Sequence, residues 1–382
     1  MKVGIILNFP PNDHRAVLCD GIAREMVKIG YNVEVIMQEG ELQFENPPYK
    51  LTLLPGNTYS IIGQVKFMYH AIKKIKEEKY DIIHTKNPFS SLIPALLAKS
   101  NAKVIYDVRG LWVEFGVNAG YYPKWMGRIL NFVDVNLAKM CDAIIVISPF
   151  MKKVLMDKGI HKKIIEIVPP GVDAEKFSKA KPIDLREKYG IEGKIVGYVG
   201  SISVSRGSDK IIEAFRLVKN EVEDAFLVMV GPVRKEEKKY FRELIRKLEL
   251  EDSVIFTGQI PHNEIPRFMK SFDVAVSYFP FDHPIYNVAV PIKILEYLAA
   301  GVPVVATDNL PHKNLIKDNI SGLLSEKAYR SLSMKIIKII SKNKKFTKKI
   351  KRFSLTSLKN YSFKTLAGKT LSLYLQLRSY KL

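Results

Sequence analysis

Residues Pro284–Thr307 read PIYNVAVPIKILEYLAAGVPVVAT. The proline-bounded segment Asn287–Pro291 reads as a loop that feeds a helix from about Ile292. Gly301 suits the left-handed position after a helix, and Pro303 cannot continue one, so the helix stops there. Val304–Thr307 then reads as a buried strand. A loop running into a helix start presents backbone N–H groups that lack intrahelical partners, and such groups hold phosphate well. Glu296 sits one turn inside, where its carboxylate can accept two hydrogen bonds from a ribose diol. Loop, helix start and carboxylate together imply a nucleoside-diphosphate site.

Outward from this stretch the chain alternates strand and helix. Lys2–Asn8, Asn32–Met37, Leu51–Leu54, Asp81–Thr85, Val104–Val108, Asp142–Ser148 and Ile164–Val168 read as strands, with amphipathic helices between most of them. The first strand–loop–helix–strand unit is the start of a doubly wound parallel sheet. Its loop, Phe9–Arg15, lacks the G-x-G-x-x-G fingerprint, which argues against a dinucleotide cofactor. Gly110–Tyr122 reads as a long loop. The helix Lys124–Met140, with Trp125, Ile129, Phe132, Val133 and Leu137, reads as core packing in preference to a membrane contact. Pro169–Asp173 is the linker, continued by a polar stretch to Gly193. A second alternating run follows it: strands Ile195–Val199, Ala225–Val230, Val254–Thr257 and Val274–Tyr278 lead into the opening stretch. Ala328–Ile340 and Thr365–Arg378 read as the last helices, the latter with Leu366, Leu371, Leu373 and Leu375. Ligands of such sheets sit beyond the carboxyl ends of the strands.

Composition bounds the function. At 382 residues the chain exceeds one ordinary core, which implies two domains of roughly 150–200 residues. The two cysteines, Cys19 and Cys141, match no metal or redox spacing and read as buried thiols in a reducing, cytoplasmic setting. No run approaches the roughly 18–20 apolar residues that span a bilayer. The net charge is +21, and residues 327–382 carry sixteen Lys or Arg and no acid. That asymmetry points to an anionic membrane surface as a peripheral partner; no recognition motif accompanies it that would favour nucleic acid.

Several segments resemble the retaining, family-four glycosyltransferases of the GT-B fold. They are DIIHT at 81–85, DAIIVIS at 142–148, VPPGVDAEKF at 168–177, VGYVGSISVSRG at 196–207, FTGQIPHNEI at 256–265 and KILEYLAAGVPVVAT at 293–307. The resemblance implies an α/β fold of two Rossmann-like, doubly wound domains facing across a cleft. Residues 1–170 would form the acceptor-side domain and 171–361 the nucleotide-sugar domain, with 362–382 a helix crossing back to the first. Glu296 matches the ribose-gripping second Glu of the family's E-x7-E motif. Val288 stands where the first, sugar-contacting Glu is often found. Pro291-Ile292-Lys293-Ile294-Leu295-Glu296 fits a P-x-K-x-x-E variant. In the family's G-R-L-x-x-x-K-G stretch the Arg position is Ser201 and the Lys position is Arg206, and Lys293 or Arg234 is placed to supply the missing cation. Where the family often has H-D, this chain has Arg109-Gly110.

The donor site implied by this resemblance comprises Gly200, Ser201, Arg206, Gly231, Gln259, Ile260, Val288, Ala289, Val290, Lys293 and Glu296. Arg109, His84 and His14 are the catalytic candidates, and Asn12, Arg15, Trp112 and Glu114 the acceptor-side ones. Arg109 is equally placed to pair with Asp107 or Glu114, and His84 to serve as a bonded strand end. The leaving diphosphate's charge is met by cations and a helix start, so neither metal nor cofactor is expected. The expected reaction moves a sugar from a UDP- or GDP-sugar to a hydroxyl of a glycan or lipid-linked acceptor. Two other readings stand beside it: a UDP-sugar 2-epimerase, and a non-catalytic nucleotide-sugar-binding or scaffold protein.

Overall fold

The structure is a computed structural model that describes residues 1–13, 15–42, 46–118, 120–161, 164–279, 284–326, 328–341, 348, 352, 356 and 358–379. His14, His283 and most of the lysine-dense segment 342–352 lie outside these residues. The chain divides into two compact units. Unit 1 comprises Met1–Gly171, Val288–Val290 and Phe363–Leu382, and unit 2 comprises Val172–Asn287 and Pro291–Ser362.

Unit 1 is built on seven parallel strands: β1 (Lys2–Ile6), β2 (Asn32–Gln38), β3 (Lys50–Leu54), β4 (Ile82–Thr85), β5 (Lys103–Val108), β6 (Ala143–Val146) and β7 (Ile164–Ile167), in the order β3-β2-β1-β4-β5-β6-β7. Unit 2 has β8 (Lys194–Val199), β9 (Ala225–Val230), β10 (Val254–Gly258), β11 (Val274–Ser277), β12 (Val304–Thr307) and β13 (Leu323–Ser325), in the order β10-β9-β8-β11-β12-β13. The strand order reverses between β1 and β4 in one sheet and between β8 and β11 in the other. Both sheets are covered on two faces, which is why β6 and β12 are short apolar runs buried at every residue. No helix among the described residues is long and apolar enough to cross a membrane.

Strand β2, next to the edge strand β3, carries a charge that the apolar pattern hid. Glu34 of β2 is fully buried. Its carboxylate accepts from Thr52 Oγ1 (2.6 Å) and Tyr80 Oη (2.8 Å) and lies 3.2 Å from Lys74 Nζ. Burial opposes its ionisation, but these hydrogen bonds outweigh burial and hold its pKa below the usual value. The final helix, Phe363–Ser379, joins the core of unit 1 against Ala16–Lys28. There the Phe363 ring covers Gly21, where a Cβ would collide with it. Leu366, Leu371 and Leu373 are buried as read, whereas Leu375 is exposed on the opposite side.

Four other readings are corrected. The 110–122 segment is not a plain loop but holds the helix Trp112–Asn118. The polar 174–193 stretch contains the helices Ala174–Lys179 and Leu185–Tyr189. Each of these starts at an aspartate, Asp173 or Asp184, whose carboxylate accepts first-turn N–H groups. The segment before Ile292 is a short helix, Pro284–Val288, followed by Ala289–Pro291. The helix Lys124–Lys139 sets Gly127 against Val117 of the preceding helix and Ala138 in the core with Val135 and Leu137 beside it, while its other large apolar residues point outward. Trp125 is 61%, Ile129 55% and Phe132 72% exposed. Both cysteines are buried, and neither forms a disulfide with a described residue.

In unit 2, Gly197 of β8 lies beneath the Phe272 ring, which leaves no room for a Cβ. Gly197→Ala is expected to destabilise the protein by ~1–3 kcal/mol through overpacking. Adding Phe272→Leu should recover part of the loss, a coupling measurable by chemical denaturation of the two single variants and the double variant.

Candidate donor and acceptor sites

In unit 2 the polar residues collect at the carboxyl ends of β8, β9 and β10. Gly200 and Gly231 follow β8 and β9 with φ of +141° and +139°. A Cβ on Gly231 would strike the Gly200 carbonyl oxygen, so the two turns pass backbone to backbone. Ser201, exposed, leads into the turn Val204–Arg206, then left-handed Gly207 and the helix Ser208–Glu221. Arg206 is half-buried, and its guanidinium makes no hydrogen bond or ion pair with any described residue. Beside it the Tyr286 hydroxyl donates to the Ser205 carbonyl oxygen (2.7 Å), and the Tyr286 ring stacks on Phe279 with centroids 4.6 Å apart. Burial raises the pKa of that hydroxyl, while the positive charges of Arg206 and Arg234 act on it in the opposite direction. Two arginines therefore flank one tyrosine.

Lys293 approaches the same turn from the helix Ile292–Ala300. Its Nζ lies over the Tyr198 ring, 4.2 Å from the centroid, and the Tyr198 hydroxyl donates to the Ser201 carbonyl oxygen (3.1 Å). The helix has no side-chain cap at its start and ends on left-handed Gly301, as the sequence pattern requires. One turn in, Glu296 is largely buried, 3.9 Å from His262 Nε2. Burial pushes its pKa up to about 7, against the opposing charges of Lys293 and Lys176. Gln259 is exposed and Ile260 half-buried just beyond β10. Val288, Ala289 and Val290 fall in unit 1. Val288 is buried in that unit's core, and its carbonyl oxygen accepts from Ser148 Oγ (2.9 Å). Its side chain therefore acts in packing.

In unit 1 a polar cluster sits at the carboxyl ends of β4 and β5. Asp107 is fully buried. Its Oδ2 accepts from Arg109 Nε (2.8 Å) and Nη2 (2.7 Å) and meets His84 Nε2 (3.2 Å), with Lys86 Nζ at 3.7 Å. Burial opposes its ionisation, but the charges of Arg109 and Lys86 and the His84 hydrogen bond win, holding its pKa well below the carboxylate range. Burial dominates at His84 and lowers its pKa, so the ring is neutral. Nε2–H then donates to Asp107, and Nδ1 accepts from the Tyr374 hydroxyl (2.6 Å) of the last helix. Both ring nitrogens of His84 are thus committed, and its place is a positioning one. Arg109 is tied likewise: Asp107, not Glu114, takes its fork, and Nη1 donates to the Val168 carbonyl oxygen (3.0 Å).

The other acceptor-side residues have partners of their own. Trp112 Nε1 donates to Asp134 (3.1 Å), and Glu114 pairs with Lys158 (2.5 Å). Arg15 pairs with Asp13 (2.6 Å) and lies over the Phe9 ring, while Asn12 is exposed.

Comparison with known proteins agrees with this layout. Residues 183–354 match the family model "Glycosyl transferases group 1", and residues 16–176 match "Glycosyltransferase Family 4". The chain belongs to the group 1 glycosyltransferases. It is 30% identical to the mannosylfructose-phosphate synthase of Agrobacterium fabrum over 52% of this chain and 46% of that protein. It is 24% identical to the alpha-monoglucosyldiacylglycerol synthase of Streptococcus pneumoniae over 85% of this chain and 75% of that one. The chain spans about half the length of curated relatives such as the first of these and the teichuronic acid glycosyltransferase TuaH of Bacillus subtilis. Among solved structures, Anabaena HepE in complex with UDP and glucose superposes with a TM-score of 0.76 over 98% of this chain and 100% of that one, at 18% identity. The fold is GT-B.

For this glycosyltransferase, sequence reasoning missed Tyr198, His262, Tyr286 and Tyr374. Tyr374 was concealed inside a leucine pattern, and His262 in a turn. Only position flagged Tyr198, two residues before the glycine at which β8 ends.

The raised pKa of Glu296 carries a sign. From about 4.5, its ordinary value, to about 7 the unfolded chain ionises this group while the folded chain keeps the proton, so stability falls as pH rises through that window. Glu296→Gln should therefore melt higher than the native protein above pH 7, by ~1–3 kcal/mol of stability. The gain should vanish near pH 4.5, where acid and amide are both neutral; thermal melts across that range test it.

Proposed function

We propose that the protein is a hexosyltransferase that moves a sugar, with retention of anomeric configuration and without a metal ion or other cofactor, from a UDP- or GDP-sugar to a hydroxyl of a glycan or lipid-linked acceptor. The observation that carries this reading is the half-buried Arg206, without a bonding partner among the described residues. It shares the neighbour Tyr286 with Arg234, Lys293 meets the same glycine-rich segment at Gly200, and Glu296 follows Lys293 along its helix by one turn. A half-buried guanidinium, unpaired among the described residues, suits a diphosphate, which takes it in bidentate fashion. The Ile292–Ala300 helix start adds donors, Glu296 takes the ribose hydroxyls, and the Gln259-Ile260 backbone meets the base.

In the reaction the bond from the anomeric carbon to the diphosphate oxygen breaks as the acceptor oxygen bonds to that carbon on the same face. The acceptor proton passes to the departing phosphate oxygen. Negative charge grows on the diphosphate, where Arg206 and Lys293 stabilise it; these cations take the part a metal plays elsewhere. Unit 1 contributes the acceptor side through Asn12, Arg15, Trp112 and Glu114, with the Asp107–Arg109–His84 cluster holding that end of the sheet in place. The relatives of the chain favour this substrate class. They include the monoglucosyldiacylglycerol synthase and an Escherichia coli galactosyltransferase acting on GlcNAc-diphosphoundecaprenol. A lipid-linked acceptor also fits a cytoplasmic enzyme held at the inner membrane face by the sixteen cations of residues 327–382.

A panel of UDP- and GDP-sugars, assayed for nucleotide release with and without extracted lipid, tests the proposal. Arg206→Ala should lower kcat/KM by ~10²–10³-fold. Glu296→Ala should act mainly by raising KM for the donor, since the ribose is held equally in ground and transition states. If no nucleotide shifts the melting temperature and Arg206→Ala changes nothing, the chain is a scaffold and the enzyme reading fails.

A further inference from the structure

Unit 1 presents two helices whose outward faces are apolar and basic together. On Ile61–Glu78, Ile61 (85% exposed), Ile62 (82%), Val65 and Tyr69 lie in the open, with Tyr59 just before them and Lys66 and Lys73 along the same side. On Lys124–Lys139, Trp125, Ile129 and Phe132 stand out, spaced at one face of a helix and flanked by exposed Lys124, Arg128 and Lys139. The two helices bear three carboxylates. Glu77 and Glu78 sit at the far end of the first, and Asp134 is turned inward onto Tyr106 and Trp112. Both helices pack against the turn Pro88–Leu92 and so flank one side of the same sheet. Each runs back between parallel strands, so its first half lies at the strands' carboxyl ends, and it is in those first halves that the apolar residues cluster. That is the end that holds His84, Arg109 and Trp112.

We propose that these two helix faces form a membrane-docking surface, with Trp125, Ile129, Phe132, Ile61, Ile62 and Val65 entering the headgroup–acyl boundary of a bilayer that bears anionic lipid. Aromatic and branched apolar side chains ringed by Lys and Arg are the composition of an interfacial helix. A second copy of this chain is a poor occupant, because a two-fold contact would set the same cations against themselves in a protein of net charge +21. An anionic bilayer satisfies both the charge and the apolar area. The inference deepens the peripheral-membrane reading above but rests on residues remote in sequence from the basic 327–382 region. It places the acceptor end of unit 1 at the lipid surface, where a lipid-linked hydroxyl is presented.

The test is flotation of the full chain with phosphatidylcholine vesicles, with and without phosphatidylglycerol, at low and high salt. The chain has two tryptophans, Trp112 and Trp125, so quenching by brominated acyl chains reports insertion. Native protein should float with phosphatidylglycerol vesicles and be quenched, and Trp125→Leu should lose most of the quenching. Trp125→Glu with Phe132→Glu, and separately Ile62→Glu, should weaken binding tenfold or more while keeping the native melting temperature and nucleotide-induced shift. The proposal is overturned if native protein ignores anionic vesicles. It also fails if the Glu variants bind as native does while neutralising Lys342, Lys344, Lys345 and Lys348 abolishes binding. A retained nucleotide shift in every variant keeps the donor-site reading separate from this result.

Discussion

Every described strand pairing in both sheets is parallel, and that one constraint governs where anything else can happen. A parallel sheet covered by helices on both faces spends most of its side chains on packing and leaves unpaired polar groups to the strand ends. The carboxyl ends of β8, β9 and β10 lead to Gly200, Gly231 and Gln259, and the helix that feeds β12 carries Lys293 and Glu296. The carboxyl ends of β4 and β5 carry His84, Lys86, Asp107 and Arg109. Chemistry is confined to these rims because the interior has no capacity for unpaired charge.

Where charge is buried, it is paired with care. Asp107 is held ionised by Arg109, Lys86 and a neutral His84, and His84 in turn is fixed by Tyr374 from the last helix. The chain's final helix thus reports directly to the strand ends of the first half of the sequence. Glu34 is satisfied similarly, by Thr52, Tyr80 and Lys74. Glu296 is the contrast. Among the described residues its largely buried carboxylate has only His262, at 3.9 Å, as an ion-pair partner, and its pKa rises accordingly. A carboxylate left under-satisfied in the unliganded fold is one that gains most from a pair of hydroxyl donors.

Much of this was legible in advance. The β12 run, the stop at Gly301-Val302-Pro303 and the alternation of strands and helices follow from local rules, and the structure obeys them. Glu296 was singled out by its place one turn into a helix, and Arg206 and Lys293 by the family resemblance. Other features were not legible. Helical periodicity told that Trp125, Ile129 and Phe132 share a face, but not which face is covered; Gly127 lies against Val117 and Ala138 in the core, and those three large side chains are left outward. Arg109 had two acids within reach, and burial of Asp107 decided between them. Val288 was read as part of a phosphate loop, yet its side chain is a core residue of unit 1, a pairing between positions far apart in sequence.

The sequence by itself determined the element types, the two-unit organisation and the residues available to grip a nucleoside diphosphate, because those depend on periodicity, turn chemistry and residue type within a short window. Only the tertiary structure decided which polar groups are already spent on one another, as at His84–Asp107–Arg109, and which stand unpaired among the described residues, as at Arg206. It alone decided which apolar faces are covered and which are left outward. Partnering and burial are properties of neighbours in space, and local sequence does not encode them.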